Sequence, residues 1–115
     1  MHINQLWIYT LPDNQCKMLY EEKNDKFSIS LSKSLTDRYI FICSSSTETS
    51  EIHIIDMKQP TITMKIFQPR INELLYSIEH DGYNGFFILT NKDDAMNNRF
   101  MNCDSKNTNI SQWNK

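Results

Sequence analysis

The chain reads as an all-β protein built from antiparallel four-stranded meanders, and three observations carry that reading. Phe27, Ile29 and Leu31 alternate with polar residues, and Leu74, Tyr76 and Ile78 do the same about 47 residues later. Eight residues after Leu31 comes the apolar run Tyr39-Ile40-Phe41-Ile42-Cys43, and eight after Ile78 comes Phe86-Phe87-Ile88-Leu89-Thr90. A polar loop then leads to a third strand ending in aspartate, Glu51–Asp56 in one copy and Arg99–Asp104 in the other. A repeat with a period in the 40s and several strands per unit is the pattern of β-propeller blades. About two to two and a half blades fit. A blade cannot bury both faces alone, so the chain is expected to be part of something larger.

The elements follow in order. Ile3–Leu11 alternates Leu6 and Ile8 with Trp7 and Tyr9, which predicts a strand apolar, and so buried, on both faces. Leu11-Pro12-Asp13-Asn14 is turn chemistry, because proline presets φ and Asp and Asn tolerate tight backbone. Lys17–Glu21 completes a leading pair of strands within 3–21. Blade 26–67 then begins with a strand at Lys26–Ser32, a hairpin connection at 34–37 and a second strand at Arg38–Ser44. The unbroken apolar run of that second strand suits a position between two neighbouring sheets. After the hydroxyl-rich loop at 44–50 come Glu51–Met57, a turn at Lys58-Gln59-Pro60, and a fourth strand carrying Ile62, Met64 and Ile66. Blade 73–115 repeats the plan with strands near Glu73–His80, Gly85–Asn91 and Arg99–Asp104, and a last one beginning near Ile110–Trp113. The turn Asp81-Gly82-Tyr83-Asn84-Gly85 is expected to place both glycines at positive φ. Lys92–Asn98 has room for one helical turn, but its Asp and Asn content makes it a loop.

Composition narrows function by exclusion. A net charge of −2 with acids and bases interspersed lacks the basic stripe that phosphate backbones require, so no nucleic-acid partner is expected. No apolar run approaches membrane-spanning length, and the amino terminus lacks the pattern of a secretory signal, so the expectation is a cytoplasmic protein with no membrane partner. Cys16, Cys43 and Cys103 are odd in number and each lies in or beside a strand, which fits reduced, partly buried thiols.

Candidate sites are sparse. Ser44–Ser46 and Ser50 lie near His53 and Asp56, yet a serine run in a hairpin loop does not supply the base, orienting acid and oxyanion donors of a nucleophilic serine. Glu21, Glu22 and Asp25 stand among Lys23 and Lys26 and read as a solvated charged turn. His2, His53 and His80 have no metal-ligand spacing. No catalytic residue, cofactor or metal is therefore expected. Structural ties remain: Glu51 and Arg99 open equivalent strands and are expected to pair, and Arg70 beside Pro69 is a candidate anchor for acidic residues.

The segment from Tyr20 to Leu31, followed by Ser32-Lys33-Ser34 and Tyr39-Ile40, resembles the propeller of the oligopeptidase B (protease II) branch of the prolyl oligopeptidase family. The resemblance continues through Ser45–Glu51, Pro69-Arg70, Tyr76–His80 and Phe86–Asn91, in order and at consistent spacing, from about residue 6 onward. It implies a seven-bladed propeller capping an α/β-hydrolase domain whose Ser-Asp-His triad cleaves short peptides after Arg or Lys. This chain carries no Gly-x-Ser-x-Gly elbow, since neither Gly82 nor Gly85 flanks a serine, and no triad position maps onto it. The resemblance therefore implies a non-catalytic propeller fragment, expected to come from a truncated or split gene. The alternatives are a subunit that complements a separately encoded hydrolase domain, or a peptide-binding or self-assembling scaffold module. Bare blade faces and strand edges lead us to expect homo-oligomers, with the hydrolase domain as a further partner.

Overall fold

The computed structural model describes residues 4–94 and 98–115, and these form nine strands in three antiparallel sheets. β1 (Gln5–Thr10) and β2 (Gln15–Glu21) make a leading hairpin. The second sheet runs β3 (Ser28–Lys33), β4 (Tyr39–Ser45), β5 (Ser50–Asp56), β6 (Met64–Ile66), in that order. The third runs β7 (Tyr76–His80), β8 (Gly85–Thr90), β9 (Arg99–Asp104). His2 and Ile3, and the part of the 92–98 loop at 95–97, lie outside the described residues; Lys92–Asp94 forms one 3-10 turn.

Sheet stacking explains the buried apolar run. One face of the second sheet, with Tyr39, Phe41, Ile52 and Ile54, packs against Phe86, Ile88, Met101 and Cys103 of the third. Phe86 sits at the centre of this core, with ring centroids 5.0 Å from Tyr39, 5.1 Å from Phe67 and 6.5 Å from Phe41. The other face receives the leading hairpin, where the Tyr20 ring lies 4.9 Å from His53. β4 is thereby covered from both sides. Tyr76 also links the sheets through hydrogen bonds: its hydroxyl accepts from the Ile52 amide at 2.8 Å and donates to the Gln68 carbonyl at 3.1 Å.

The repeat matches with one slip. Lys33 pairs with Ile40 and His80 with Phe86, so the second hairpin is one residue shorter than the first. The apolar runs therefore align Ile40, not Tyr39, with Phe86, and Phe41, Cys43 and Ile52 correspond to Phe87, Leu89 and Phe100. A slip of one residue exchanges the faces of a strand, and composition alone does not reveal it.

Other expectations need correction. Trp7 and Tyr9 are exposed, so β1 is covered on one face only, because the hairpin meets the second sheet from a single side. β6 begins at Met64, leaving Ile62 in the exposed turn, and β7 begins at Tyr76 because Glu73 takes a positive φ of 69°. Of the two glycines only Gly82 has positive φ (83°); Gly85 is required for space, since a Cβ there would overlap the Cys103 carbonyl oxygen. Residues Ile110–Gln112 form a 3-10 turn instead of a strand. The Ile110 amide is captured by the Gln68 side chain at 2.6 Å, and Trp113 is drawn into the core with its indole N–H on the Thr108 carbonyl at 2.8 Å. Asn114 alone pairs with β9, opposite Asn102.

The outline is a slab of 47 × 36 × 20 Å with a Cα radius of gyration of 14.7 Å. A compact chain of this length would have about 13 Å. The excess reflects sheets stacked in a row rather than wrapped round one centre.

Candidate functional site

The densest polar cluster forms where the chain crosses from the second sheet to the third. Pro69 fixes the backbone of this crossing, and Arg70 follows it. The Arg70 amide donates to Glu51 Oε2 at 2.9 Å, which aims the side chain back beneath the second sheet. Its guanidinium then donates to both Glu22 oxygens, Nη1 to Oε2 at 3.3 Å and Nη2 to Oε1 at short range. Nη2 also reaches Glu51 Oε1 at 3.2 Å, and the guanidinium carbon lies 3.8 Å above the Phe27 ring centroid. Planar fork and flat cation together suit arginine and not lysine.

Glu22 closes the cluster from the leading hairpin. It is buried, and a bare carboxylate there would carry a large desolvation cost. Ser44 Oγ donates to Glu22 Oε1 at 2.5 Å, the Asn24 amide donates to Oε2 at 3.1 Å, and the Tyr20 hydroxyl lies 3.2 Å from Oε1 and 3.4 Å from Glu51 Oε1. Burial alone would raise the Glu22 carboxyl, but the hydrogen bonds from Arg70, Ser44 and the Asn24 amide outweigh it and hold the group down at about 2. Burial first, then the charges of Glu22 and Glu51, push the Tyr20 phenol up to about 12. Burial lowers His53, whose Nδ1 is enclosed without a protein partner. Five segments thus converge on Arg70: the end of β2, the loop to β3, β4, β5 and the crossing itself.

The arrangement positions; it is poorly suited to react. A carboxylate held at about 2 is a weak base, so Glu22 cannot activate Ser44. Ser50 and Ser46 also serve the backbone: Ser50 Oγ accepts from the Tyr76 amide at 2.8 Å and donates to its carbonyl at 3.0 Å, while Ser46 Oγ accepts from the amides of Glu48 and Thr49. Asp56 is engaged by Arg38, Nε to Oδ1 at 2.7 Å and Nη2 to Oδ2 at 2.9 Å, and these hydrogen bonds lower its carboxyl to about 2. Ser44, Ser50 and Asp56 are therefore committed to different neighbours, and His53 Nδ1 has no protein partner.

The expected pair of Glu51 with Arg99 does not form. Glu51 is taken by Arg70, and Arg99 points to its own loop, with Nη1 3.9 Å from Asp93 Oδ2. Glu22, read from sequence as part of a solvated turn, is instead the buried anion on which Arg70 closes. No local signal marks it, because its cation lies 48 residues away. A second latch joins the sheets at their opposite end: Thr36 Oγ1 lies 2.7 Å from His80 Nδ1, and the Leu35 amide donates to Glu79 Oε2 at 3.1 Å. The cysteines are free thiols, exposed at Cys16, half-buried at Cys43 and buried at Cys103; burial raises Cys43, and burial with Asp104 and Asp81 pushes Cys103 up to about 12. Among the described residues no group of three or more His, Cys, Asp or Glu side chains is placed to hold a metal ion, and no helix is long and apolar enough to cross a membrane.

The two depressed carboxyls have a consequence in acid. Glu22 and Asp56 both sit below their ordinary values in the fold, so their contributions are complete above about pH 5 and are lost as pH falls toward about 2. His53, lowered by burial, acts in the same direction, because unfolding lets it take up a proton. Chemical denaturation at pH 6 and pH 3 should show a loss on the order of 2 kcal/mol from Glu22 and about 1 kcal/mol from Asp56, whose shift is smaller. Glu22→Gln should flatten part of that slope; an unchanged slope would show that the carboxyl is not held as described.

Comparison with known proteins gives a consistent picture. Residues 2–115 match the family described as prolyl oligopeptidase, N-terminal beta-propeller domain. The chain is similar to Protease 2 of Moraxella lacunata, with 34% identity over 96% of this chain and 17% of that protein. Its fold is similar to oligopeptidase B from Trypanosoma brucei with covalently bound antipain, in a closed form, with a TM-score of 0.83 and 28% identity over 93% of this chain and 16% of that one. Oligopeptidase B from Leishmania major gives a TM-score of 0.83 and 28% identity over 91% of this chain and 15% of that one. The chain thus spans about a sixth of the length of the relatives it matches.

Proposed function

Because the chain belongs to the N-terminal β-propeller family of the prolyl oligopeptidases, we propose that it serves as a run of non-catalytic blades in an oligopeptidase B-like serine peptidase. In this reading the hydrolytic machinery, acting on short peptides after Arg or Lys, is carried outside these residues, and the blades shape access to it. One observation carries the proposal. Phe41 and Ile52 face the next sheet and are only 5% and 4% exposed, whereas their counterparts Phe87 and Phe100 are 55% and 76% exposed on a face with nothing over it among the described residues. Leu89, paired directly with Phe100, continues the same apolar stripe. That is a surface made for another blade.

On its own the chain should then cover the stripe by self-association, since each such side chain left wet forfeits roughly 1.5–3 kcal/mol. Sedimentation of the wild type should show concentration-dependent oligomers, and Phe87→Ser with Phe100→Ser should return it to monomer. The stability of the monomeric fold should move by no more than about 0.5 kcal/mol per site, because both rings are exposed in the single chain. A wild type that stays monomeric at high concentration would overturn the blade reading. Catalysis is tested separately with an Arg-Arg dipeptide reporter: the purified chain should give no turnover above background. Turnover that disappears when Ser44, Ser45, Ser46 and Ser50 are changed to alanine would place a nucleophile in this loop and defeat the non-catalytic reading.

A further inference from the structure

A groove opens beside the core where β6 meets the chain that leaves β9. The buried side chains of Tyr39 and Ile54 form its floor, with Thr63 and Lys65 on one rim and Ser105 on the other, around a volume of about 310 Å³. That is at the lower end of the range ordinary for small-molecule sites, about 300–1,000 Å³. Strand pairing sets its geometry. Ile54 stands opposite Lys65 across the β5–β6 ladder, so the two side chains share a face. The far rim is fixed because the Ser105 amide donates to the Asn84 carbonyl at 2.8 Å.

The polar groups of this groove are unevenly engaged. Tyr39 is 5% exposed, and its ring is held between His80 and Phe86, each with its centroid 5.0 Å away. Its hydroxyl makes no hydrogen bond among the described residues and is not sealed from solvent, so it opens into the groove. Lys65 is exposed and makes no salt bridge among the described residues. The Thr63 and Ser105 hydroxyls have no hydrogen-bond partner among them either. The acid of the groove, Asp56, is already taken: Arg38 holds both of its oxygens, and the Lys58 amide donates to Oδ1 at 3.0 Å. What remains is one cation and three hydroxyls, a set that calls for acceptors. Burial pushes the Tyr39 phenol up, so it stays a donor at neutral pH. The charges of Asp56 and Asp81 also act on that phenol and oppose a doubly charged ligand.

We propose that the groove binds the carboxy-terminal residue of a peptide. Lys65 and the Tyr39 phenol meet its carboxylate, an apolar side chain lies over Ile54, and the Thr63 and Ser105 hydroxyls meet its last peptide group. A single negative charge matches the single unpaired cation, and a phenol fixed by packing loses little freedom on binding. The groove shares no residue with the Arg70 cluster or the Phe87–Phe100 stripe, so it stands or falls apart from the blade reading.

A suitable probe is N-acetyl-leucine, followed by saturation transfer from the whole chain to its methyl signals. It should bind in the low-millimolar range, the strength ordinary for a ligand of its size. N-acetyl-leucinamide, which has no carboxylate, should show no transfer, and 4-methylpentanoate, which has no peptide group, should bind several-fold more weakly. Tyr39→Phe keeps the packed ring and should weaken acetyl-leucine about fivefold. Lys65→Met should weaken it about tenfold or more. Both variants should keep the wild-type melting temperature, since the deleted hydroxyl has no partner and Lys65 is exposed. No transfer to acetyl-leucine, or an affinity unchanged in both variants, would defeat the proposal. Equal binding of the amide, or displacement of acetyl-leucine by an equal concentration of inorganic phosphate, would show that the carboxylate is not what is recognised. Equal binding of 4-methylpentanoate would remove the peptide and overturn the assignment as well.

Discussion

Replacing Arg70 with alanine is expected to destabilise the chain by about 3–5 kcal/mol, the range seen when one member of a buried ion pair is removed. The loss arises mainly from what is left behind. Glu22 and Glu51 would face each other without their shared cation, and the Ser44, Asn24 and Tyr20 donors cannot replace it. Phe27 would lose the cation stacked on its ring. Single domains are stable by only 5–15 kcal/mol, so partial unfolding at room temperature is a realistic outcome. Urea denaturation followed by tryptophan emission gives the number. Arg70→Lys should recover part of the loss and not all, since an ammonium cannot span both Glu22 oxygens. Adding Glu22→Gln to the alanine variant should recover some stability, because the stranded charge is gone. A cost below about 1 kcal/mol for Arg70→Ala would mean that the cluster behaves as a surface pair and that the hairpin is held by other contacts.

Phe86→Ala is the second large effect, with an expected cost of about 3–5 kcal/mol. The ring is fully buried, meets Tyr39, Phe41 and Phe67, and lies 5.7 Å from the His80 ring. Strands on both sides are fixed by backbone pairing, so the walls cannot collapse into the space. Phe86→Leu fills most of the volume and should retain most of the stability. The contrast with Phe87, the next residue, is the sharper check. Phe87→Ala should cost little in the isolated chain, and equal costs at the two positions would mean that the faces of β8 have been assigned the wrong way round.

Much of this architecture could be read from periodicity. Alternation at Leu74–Ile78 reports one-sided burial directly, while along Phe27–Leu31 burial fades from Phe27 to an exposed Leu31, and the unbroken run at Tyr39–Cys43 requires cover on both sides. What escaped notice depended on distance or on a single residue. The shortened hairpin at 81–85 exchanges the faces of β8, although the composition of the run hardly changes. Ile110–Trp113 has strand-like residues, yet Gln68 and the core around Phe67 pull it into a turn. Glu22 is flanked by charged residues, like any solvated turn, and only the fold brings Arg70 to it. The pairing expected between Glu51 and Arg99 rested on equivalent positions in successive units; each found a nearer partner of opposite sign.

The Tyr76 hydroxyl ends as a question of cooperativity. Beyond the backbone bond from the Phe67 amide to the Ile52 carbonyl, no main-chain acceptor meets the Ile52 amide, and the phenol from the following sheet stands in. The third sheet therefore lends the second a rung that the second lacks. Units joined in this way melt as one, so calorimetry on the 115-residue chain should record a single peak whose width matches the combined enthalpy of both sheets.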